Sequence, residues 1–192
     1  MKQRDMALIA ISLVAIMLLA GCTSSSSSGP TYAAQFKEVT DAPVTQQGYV
    51  PAGQTLNEKF NVTIKNITWA TVQLAFYDDS GDGCTDIMGL EVDSPFADAL
   101  YLPTQAGESN KTMTINVTIQ HTPTEKKGKS KLDLQSYLDG VANTQGMGKW
   151  TISITDVEPS PCAHPKAPDT GNAWVLLIDT FHFEGNVTKL DT

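Results

Sequence analysis

Apolar and polar residues alternate with a period of two along several short stretches of this 192-residue chain. Such alternation is typical of strands that have one face on a core and the other face in solvent. In the clearest stretch, Val72, Leu74 and Phe76 share one face. The pattern predicts strands at 60–67, 71–77, 112–120, 150–156 and 174–185, and weaker ones at 87–92 and 101–102.

One stretch, residues 132–142, has helical spacing instead, because Leu134, Leu138 and Val141 fall on one helix face. Gly, Pro, Asp and Ser fill the gaps between the predicted strands. Several strands with one short helix in a long loop predict an all-β fold. We expect an antiparallel β-sandwich of the jelly-roll or immunoglobulin-like type, without repeats or a second domain.

The N-terminus has the pattern of a secretory signal. Lys2 and Arg4 precede an apolar run, Met6 to Ala20, that is shorter than the roughly 20 residues of a membrane-spanning helix. Ala20, Gly21 and Cys22 resemble the lipobox of lipoproteins, which implies that Cys22 is acylated and becomes the first mature residue. The alternative is an uncleaved N-terminal anchor helix with a chance cysteine.

The lipobox divides the chain into three parts. Residues 1–21 are the predicted lipoprotein signal peptide, residues 22–35 a tether, and residues 36–192 the β-sandwich domain. Five consecutive serines make the tether flexible. The domain is therefore expected on the extracellular face of the cell membrane, held by a lipid anchor.

The net charge of the chain bears on which classes of molecule it can bind. The formal net charge is −8, and the only arginine, Arg4, lies in the predicted signal peptide. Removing residues 1–21 leaves 11 basic and 20 acidic residues, a net charge of −9. Such a chain is not expected to bind nucleic acid, which needs clustered Lys and Arg. Net repulsion from anionic headgroups also predicts a domain that stands off the membrane.

Two cysteines remain once Cys22 is lipidated. Cys84 and Cys162 lie in turn-rich segments, and an extracellular compartment permits a disulfide between them. In the chain-entropy model a closure of this length contributes roughly 4–5 kcal/mol. Two buried free thiols are the alternative.

Five sequons for N-glycosylation have the form Asn-x-Thr, at Asn61, Asn66, Asn110, Asn116 and Asn186. Asn61 and Asn116 alternate with apolar residues in predicted strands, so both side chains are expected to face solvent, where a glycan fits. A lipobox combined with several sequons indicates a glycosylated surface lipoprotein of archaeal type.

The segment between Lys65 and Lys111 holds eight acidic residues and no basic one. Within it, the run from Asp78 to Gly83 fits D-x-S-x-D-G, which resembles the start of an EF-hand calcium loop. Position 12 is Gly89 rather than Glu, and the preceding residues predict a strand, so an EF-hand is excluded. A loop calcium site remains as a hypothesis, with the ligands Asp78, Ser80, Asp82, Asp86 and the carbonyl of Cys84; a solvated acidic loop is the alternative.

A second resemblance covers roughly residues 148–185. Gly148, Trp150 and Asp156 are spaced as in the G-x-W-x-l-x-v-x-D segment of the P domain of proprotein convertases. Residues 169–172, followed by Trp174 and an apolar strand, are similar to the ending of that domain. The resemblance implies a jelly-roll sandwich in which calcium sites occur.

Motifs of catalysis are missing from the sequence: there is no G-x-S-x-G, no H-E-x-x-H and no phosphate-binding glycine loop. We therefore expect a non-enzymatic surface protein that binds a carbohydrate or protein ligand, or supports the cell envelope. The alternatives are an accessory domain of extracellular hydrolysis and a metal-binding surface protein.

Overall fold

The computed structural model describes residues 29–78, 87–96, 100–105, 111–157 and 170–190. The secondary structure in these residues belongs to one compact unit, Thr31–Asp191. Its strands are β1 Thr31–Thr40, β2 Val44–Pro51, β3 Thr55–Val62, β4 Ile67–Asp78, β5 Ile87–Asp93, β6 Leu100–Gln105, β7 Lys111–Thr118, β8 Lys126–Gly128, β9 Gly148–Val157 and β10 Gly171–Leu190. Its helix, α1, spans Lys131–Val141.

The strands form two antiparallel sheets, and most connections cross from one sheet to the other. The larger sheet has the order β7-β4-β10-β1-β8, with β2 also paired to β10, and the smaller sheet has the order β3-β9-β5-β6. A sheet β2-β10-β4-β7 packed against a sheet β3-β9-β5-β6 is the strand order of a jelly roll. The predicted all-β sandwich is confirmed.

Alternating side chains from both sheets form the core. Leu74 and Leu176 of the larger sheet and Leu90, Trp150 and Ile152 of the smaller one are fully buried. Burying one such aliphatic side chain contributes about 1.5–3 kcal/mol. The period-two pattern of the sequence thus corresponds to inner and outer faces of real strands.

β10 is long enough to pair with two strands on the same edge. Its first part, from Gly171 to Ile178, pairs with β2, and its later part, from Phe181 to Leu190, pairs with β1. A register shift against β4 falls between Phe181 and His182. On one side of this register shift, β10 belongs to the two-sheet sandwich. On the other side, the end of β10 pairs with β1, which pairs with β8, and we call these three strands the arm.

One predicted strand, 60–67, is wrong in its bounds. β3 ends at Val62 and β4 begins at Ile67, with a bend between them. Asn66 in this bend has a φ of 62°. Asn tolerates this left-handed conformation better than other residues with a Cβ, so the chain turns where the apolar pattern appears continuous.

The first strand begins earlier than the sequence pattern indicates. Residues 31–35, which the prediction places in the tether, form the first half of β1, and Ala33 and Ala34 are fully buried. Small side chains carry a weak strand signal, so only pairing with β10 reveals this strand. The part of the chain with described coordinates contains no helix that is both long and apolar enough to span a bilayer.

The predicted helix is confirmed within a residue at each end. Ser130 caps it, because its side chain accepts a hydrogen bond from the backbone N–H of Asp133 over 3.2 Å. Leu134 is buried on the face that packs against the arm.

Candidate functional site

Most of the predicted calcium ligands lie outside the described residues. This holds for Ser80, Asp82, Cys84 and Asp86, while Asp78 is described only as the last backbone position of β4. Cys22, Cys162 and Asn110 also lie outside the described residues. Among the residues that are described, no three His, Cys, Asp or Glu side chains are grouped to hold a metal ion.

The strand ends that flank the two internal cysteines lie together. Asp78 at the end of β4 pairs with Asn172 at the start of β10, and Ile87 at the start of β5 pairs with Val157 at the end of β9. The strand ends on either side of Cys84 are therefore neighbours of the strand ends on either side of Cys162. This arrangement is compatible with the predicted disulfide, which stays a prediction.

A buried polar pair joins the two sheets at this end of the sandwich. Nδ2 of Asn172 on β10 donates to Oδ2 of Asp156 on β9 over 3.1 Å, and both residues are buried. A buried carboxylate is costly unless hydrogen bonds satisfy it. Asp156, which the P-domain resemblance singles out, thus has a structural contact across the core.

The sequons differ in exposure. Asn61, Asn116 and Asn186 are exposed strand residues, as the alternation predicts for the first two. Asn66 is different: its Nδ2 donates to the carbonyl of Phe183 over 3.4 Å, and its Oδ1 accepts from the backbone N–H of Asn143 over 3.0 Å. The amide nitrogen that would carry a glycan is therefore engaged within the fold.

An open groove of about 440 Å³ lies on the larger sheet at the same end as the Asn172–Asp156 pair. We call it the tyrosine groove; its walls are Gln47, Gly48, Tyr77, Ala173, Trp174 and Val175. Tyr49 and Tyr77 are the register partners of Ala173 on either side, so the small alanine separates two exposed rings. Tyr49 is oriented by its hydroxyl, which donates to Oγ1 of Thr170 over 2.7 Å.

The tyrosine groove is one end of a nearly uncharged outer face. Residues that are register partners on neighbouring strands form rows across the sheet, and four further rows follow the one with the tyrosines. The rows are Gln47–Val175–Ala75–Thr112, Thr45–Leu177–Gln73–Thr114, Asp179–Thr71–Asn116 and Phe181–Trp69–Thr118. Asp179 is the only charged residue in these four rows. The last row carries a second aromatic pair, in which Trp69 and Phe181 stack at 3.6 Å with an interplanar angle of 4°. The two aromatic rows are eight residues apart on β10, about 27 Å.

Gly48 shapes the tyrosine groove by letting Trp174 lie under the edge strand. A Cβ on Gly48 would lie 2.5 Å from Cζ2 of Trp174, so only glycine fits here. Trp174 is buried, and its Nε1 meets no hydrogen-bond acceptor within the described structure. An unsatisfied buried donor is unfavourable, so Trp174 carries an uncompensated polar group beneath the edge strand.

A larger open groove of about 690 Å³ lies on the arm, beside the sequon residue Asn186. Three of its polar side chains already contact one another: Gln35 donates to Glu125 over 3.4 Å and accepts from the hydroxyl of Thr188 over 3.1 Å. Because these groups are satisfied internally, this groove is a weaker candidate for a ligand site than the tyrosine groove.

His182 next to this groove is not the exposed strand residue that its position between Phe181 and Phe183 suggests. Its side chain is 13% exposed, and Nδ1 lies 3.1 Å from Oδ1 of Asp41. Asp41 also accepts a hydrogen bond from the hydroxyl of Thr180 over 3.0 Å. The three residues tie the start of the β1–β2 connection to β10.

Comparison with known proteins bears on the fold alone. No protein-family model matches the sequence, and no curated protein matches it either. Among solved structures, a carbohydrate-binding module in complex with β-1,4-galactotriose is similar (8% identity, TM-score 0.31, covering 79% of this chain and 88% of that one). The empty head of turnip yellow mosaic virus is comparable (10% identity, TM-score 0.34, covering 82% and 84%). These scores are too low to support an argument about function.

Sequence reasoning did not single out the tyrosine groove. Tyr49 lies on β2, which the alternation does not predict, and Tyr77 falls at the end of a predicted strand. The available signal was the apolar content of Val175 and Leu177, which alternate with buried Trp174, Leu176 and Ile178. An outer sheet face that carries apolar side chains is typical of a surface that contacts a ligand or another protein.

Proposed function

We propose that this protein is a non-catalytic, lipid-anchored cell-surface protein that binds an uncharged carbohydrate in the tyrosine groove. The observation that supports this most is the row Tyr49–Ala173–Tyr77, in which two exposed rings flank a small residue on a rigid sheet. Binding sites are typically concave, with apolar and aromatic walls and a few polar groups that orient the ligand.

The chemistry of the groove fits a pyranose. Tyrosine rings offer flat apolar faces with a negative quadrupole, against which the C–H face of a sugar packs, and their hydroxyls remain available to polar partners. Gln47 is exposed beside them and supplies both an amide donor and a carbonyl acceptor. The scarcity of charge in the outer rows favours a neutral ligand over an anionic or cationic one.

The remaining parts of the proposal come from the sequence. Acylation of Cys22 supplies the anchor, glycans occupy exposed sequons, and calcium stabilises the acidic segment that begins at Asp78. The sequon at Asn116 lies three rows from the tyrosine groove, about 20 Å along the sheet. A glycan there and a ligand in the groove are therefore compatible.

A glycan array tests the function with the full-length protein in detergent, run with and without calcium. We expect neutral glycans to bind, and Tyr77→Ala to weaken binding about tenfold, as is typical for an aromatic contact residue. Phe96→Ala is the matched control, because Phe96 is 41% exposed, close to the 47% of Tyr77, but lies outside the groove. Failure of every neutral glycan to bind, or unchanged binding by Tyr77→Ala, contradicts the proposal.

A further inference from the structure

A basic surface lies where the chain enters the folded unit at Thr31. Lys129 Nζ donates to Oγ1 of Thr31 over 2.8 Å. The next residue, Tyr32, pairs with Gly128 on one side and Lys189 on the other. We call this edge of the arm the anchor-side patch. It comprises Lys126, Lys127 and Lys129 on and next to β8, Lys131 and Leu132 at the start of α1, and Lys189 at the end of β10. Because side chains alternate along a strand, Lys126 and Lys127 lie on opposite sides of this edge.

The anchor-side patch has the opposite charge to the rest of the protein. All five lysines are exposed, and they are five of the 11 lysines beyond residue 21, where the net charge is −9. Two of the described acidic residues lie beside them: Glu125, paired with Lys127 at 3.2 Å, and Asp133 in the first turn of α1. The patch therefore keeps an excess of positive charge.

Leu132 adds an apolar element to the patch. It is 75% exposed, the most exposed of the large hydrophobic side chains in the described residues, and it follows Lys131 at the start of α1. Lysines around a protruding aliphatic side chain are the composition of surfaces that bind the interface of a membrane.

Covalent connectivity keeps the patch near the lipid. Cys22 is nine residues from Thr31 in the sequence, and nine residues of chain span at most about 30 Å. Lysines interact with an anionic surface only within a Debye length, about 8 Å at physiological ionic strength. A linker of this length allows the patch to come within a Debye length of the headgroups, where the lysines can bind them.

We propose that the anchor-side patch binds the anionic headgroups of the membrane to which Cys22 attaches the chain, with Leu132 entering the interface. This inference rests on the lipid anchor of the proposed function. It replaces the expectation, drawn from net charge alone, that the domain stands off the membrane, because the charges nearest the bilayer decide the interaction. The tyrosine groove, at the other end of β10 from Lys189, then points away from the membrane.

The test uses the full chain carrying Cys22→Ser, so that no acyl chain contributes, and measures co-sedimentation with vesicles. Vesicles with 30% anionic lipid are compared with purely zwitterionic vesicles. Lys2, Arg4 and the apolar N-terminus are the same in every variant, so their contribution cancels when variants are compared. We expect tighter binding to the anionic vesicles, lost at high salt. Replacing Lys126, Lys127, Lys129 and Lys131 with Gln should remove this preference, at roughly fivefold per lysine.

The matched control replaces the exposed Lys37, Lys59, Lys65 and Lys149 with Gln, which changes the net charge equally but leaves the patch intact. This control should keep the preference for anionic vesicles, and Leu132→Gln should weaken binding to both compositions. If the parent binds both compositions equally, or the control loses as much as the patch variant, the proposal is overturned. Equal binding would instead favour docking of an acidic protein.

Mass spectrometry of Cys22 in the unmodified chain tests the anchor separately. An unacylated Cys22 overturns the anchor while the vesicle result still decides whether the lysines bind headgroups.

Discussion

Asn172 and Asp156 hydrogen-bond across the core over 3.1 Å, and they belong to opposite sheets of the jelly roll. They lie at the two strand ends that flank the segment containing Cys162, near the end of β9 and the start of β10. The pair therefore fixes the end of the sandwich that also carries the tyrosine groove.

Removing this hydrogen bond should destabilise the fold. Asn172→Ala takes a donor away from a buried carboxylate, and hydrogen bonds to charged groups contribute about 1.5–3 kcal/mol. At about 2–4 °C per kcal/mol for a domain of this size, calorimetry should show a Tm lower by about 3–12 °C. Gln47→Ala, on the exposed outer face, is the control and should leave the Tm nearly unchanged. An unaltered Tm for Asn172→Ala would show that the pair is not stabilising.

Asn66 should be glycosylated less than Asn61 in protein isolated from its native cells. Its Nδ2 is bonded to Phe183, and the hydroxyl of its sequon partner Thr68 is buried and donates to Glu38 and Phe181. Both groups that a glycosyltransferase needs are thus unavailable once the chain has folded. Glycopeptide mass spectrometry gives the occupancy of each site, and full occupancy at Asn66 would contradict this prediction.

A disulfide should link Cys84 and Cys162. The flanking strand ends are register partners, Asp78 with Asn172 and Ile87 with Val157, so both segments start and finish side by side. Peptide mapping without reduction should recover one cross-linked pair. Free alkylation of both thiols in unreduced protein would rule the bridge out.

Two glycine substitutions should have opposite effects. Gly48→Ala forces a Cβ against Trp174 and should destabilise the fold by about 1–3 kcal/mol, as overpacking does. Gly140→Ala has open space around it within α1 and should stabilise by up to about 1 kcal/mol through helix propensity. Urea unfolding of both variants measures the difference; a stabilised Gly48→Ala would show that Trp174 moves freely.

Calcium should raise the Tm if the acidic segment holds an ion. Binding to the folded state alone contributes about 2.7 kcal/mol at a hundredfold excess over Kd, a shift of roughly 5–10 °C. Asp82→Asn combined with Asp86→Asn should abolish the shift, whereas Glu108→Gln should not. An equal response to magnesium would indicate screening of the acidic surface instead of a site.

The strands could be predicted where apolar and polar residues alternate along the chain, as around Val72, Leu74 and Phe76, because this signal depends only on neighbouring residues. The pattern fails at Asn66, where a single left-handed residue turns an apolar run into two strands. It also fails at β1, β2 and β8, which contain small or polar residues and exist because β10 and β1 offer hydrogen-bonding partners. Pairing partners lie far away in the chain, so no window of sequence contains them.

The amino-acid sequence by itself determined the all-β class, the helix near Leu134 and the acidic and lysine-rich runs, since each depends on neighbouring residues. It also carries the lipobox at Cys22, the five sequons and the two internal cysteines as predictions. Only the tertiary structure decided which of these features meet. The jelly-roll order places Tyr49 and Tyr77 on either side of Ala173 and brings Thr31, Lys129 and Lys189 to one end of β10. Hydrogen bonds between strands that are distant in the sequence hold that register. It is favoured over other registers because it buries the apolar inner faces of both sheets together.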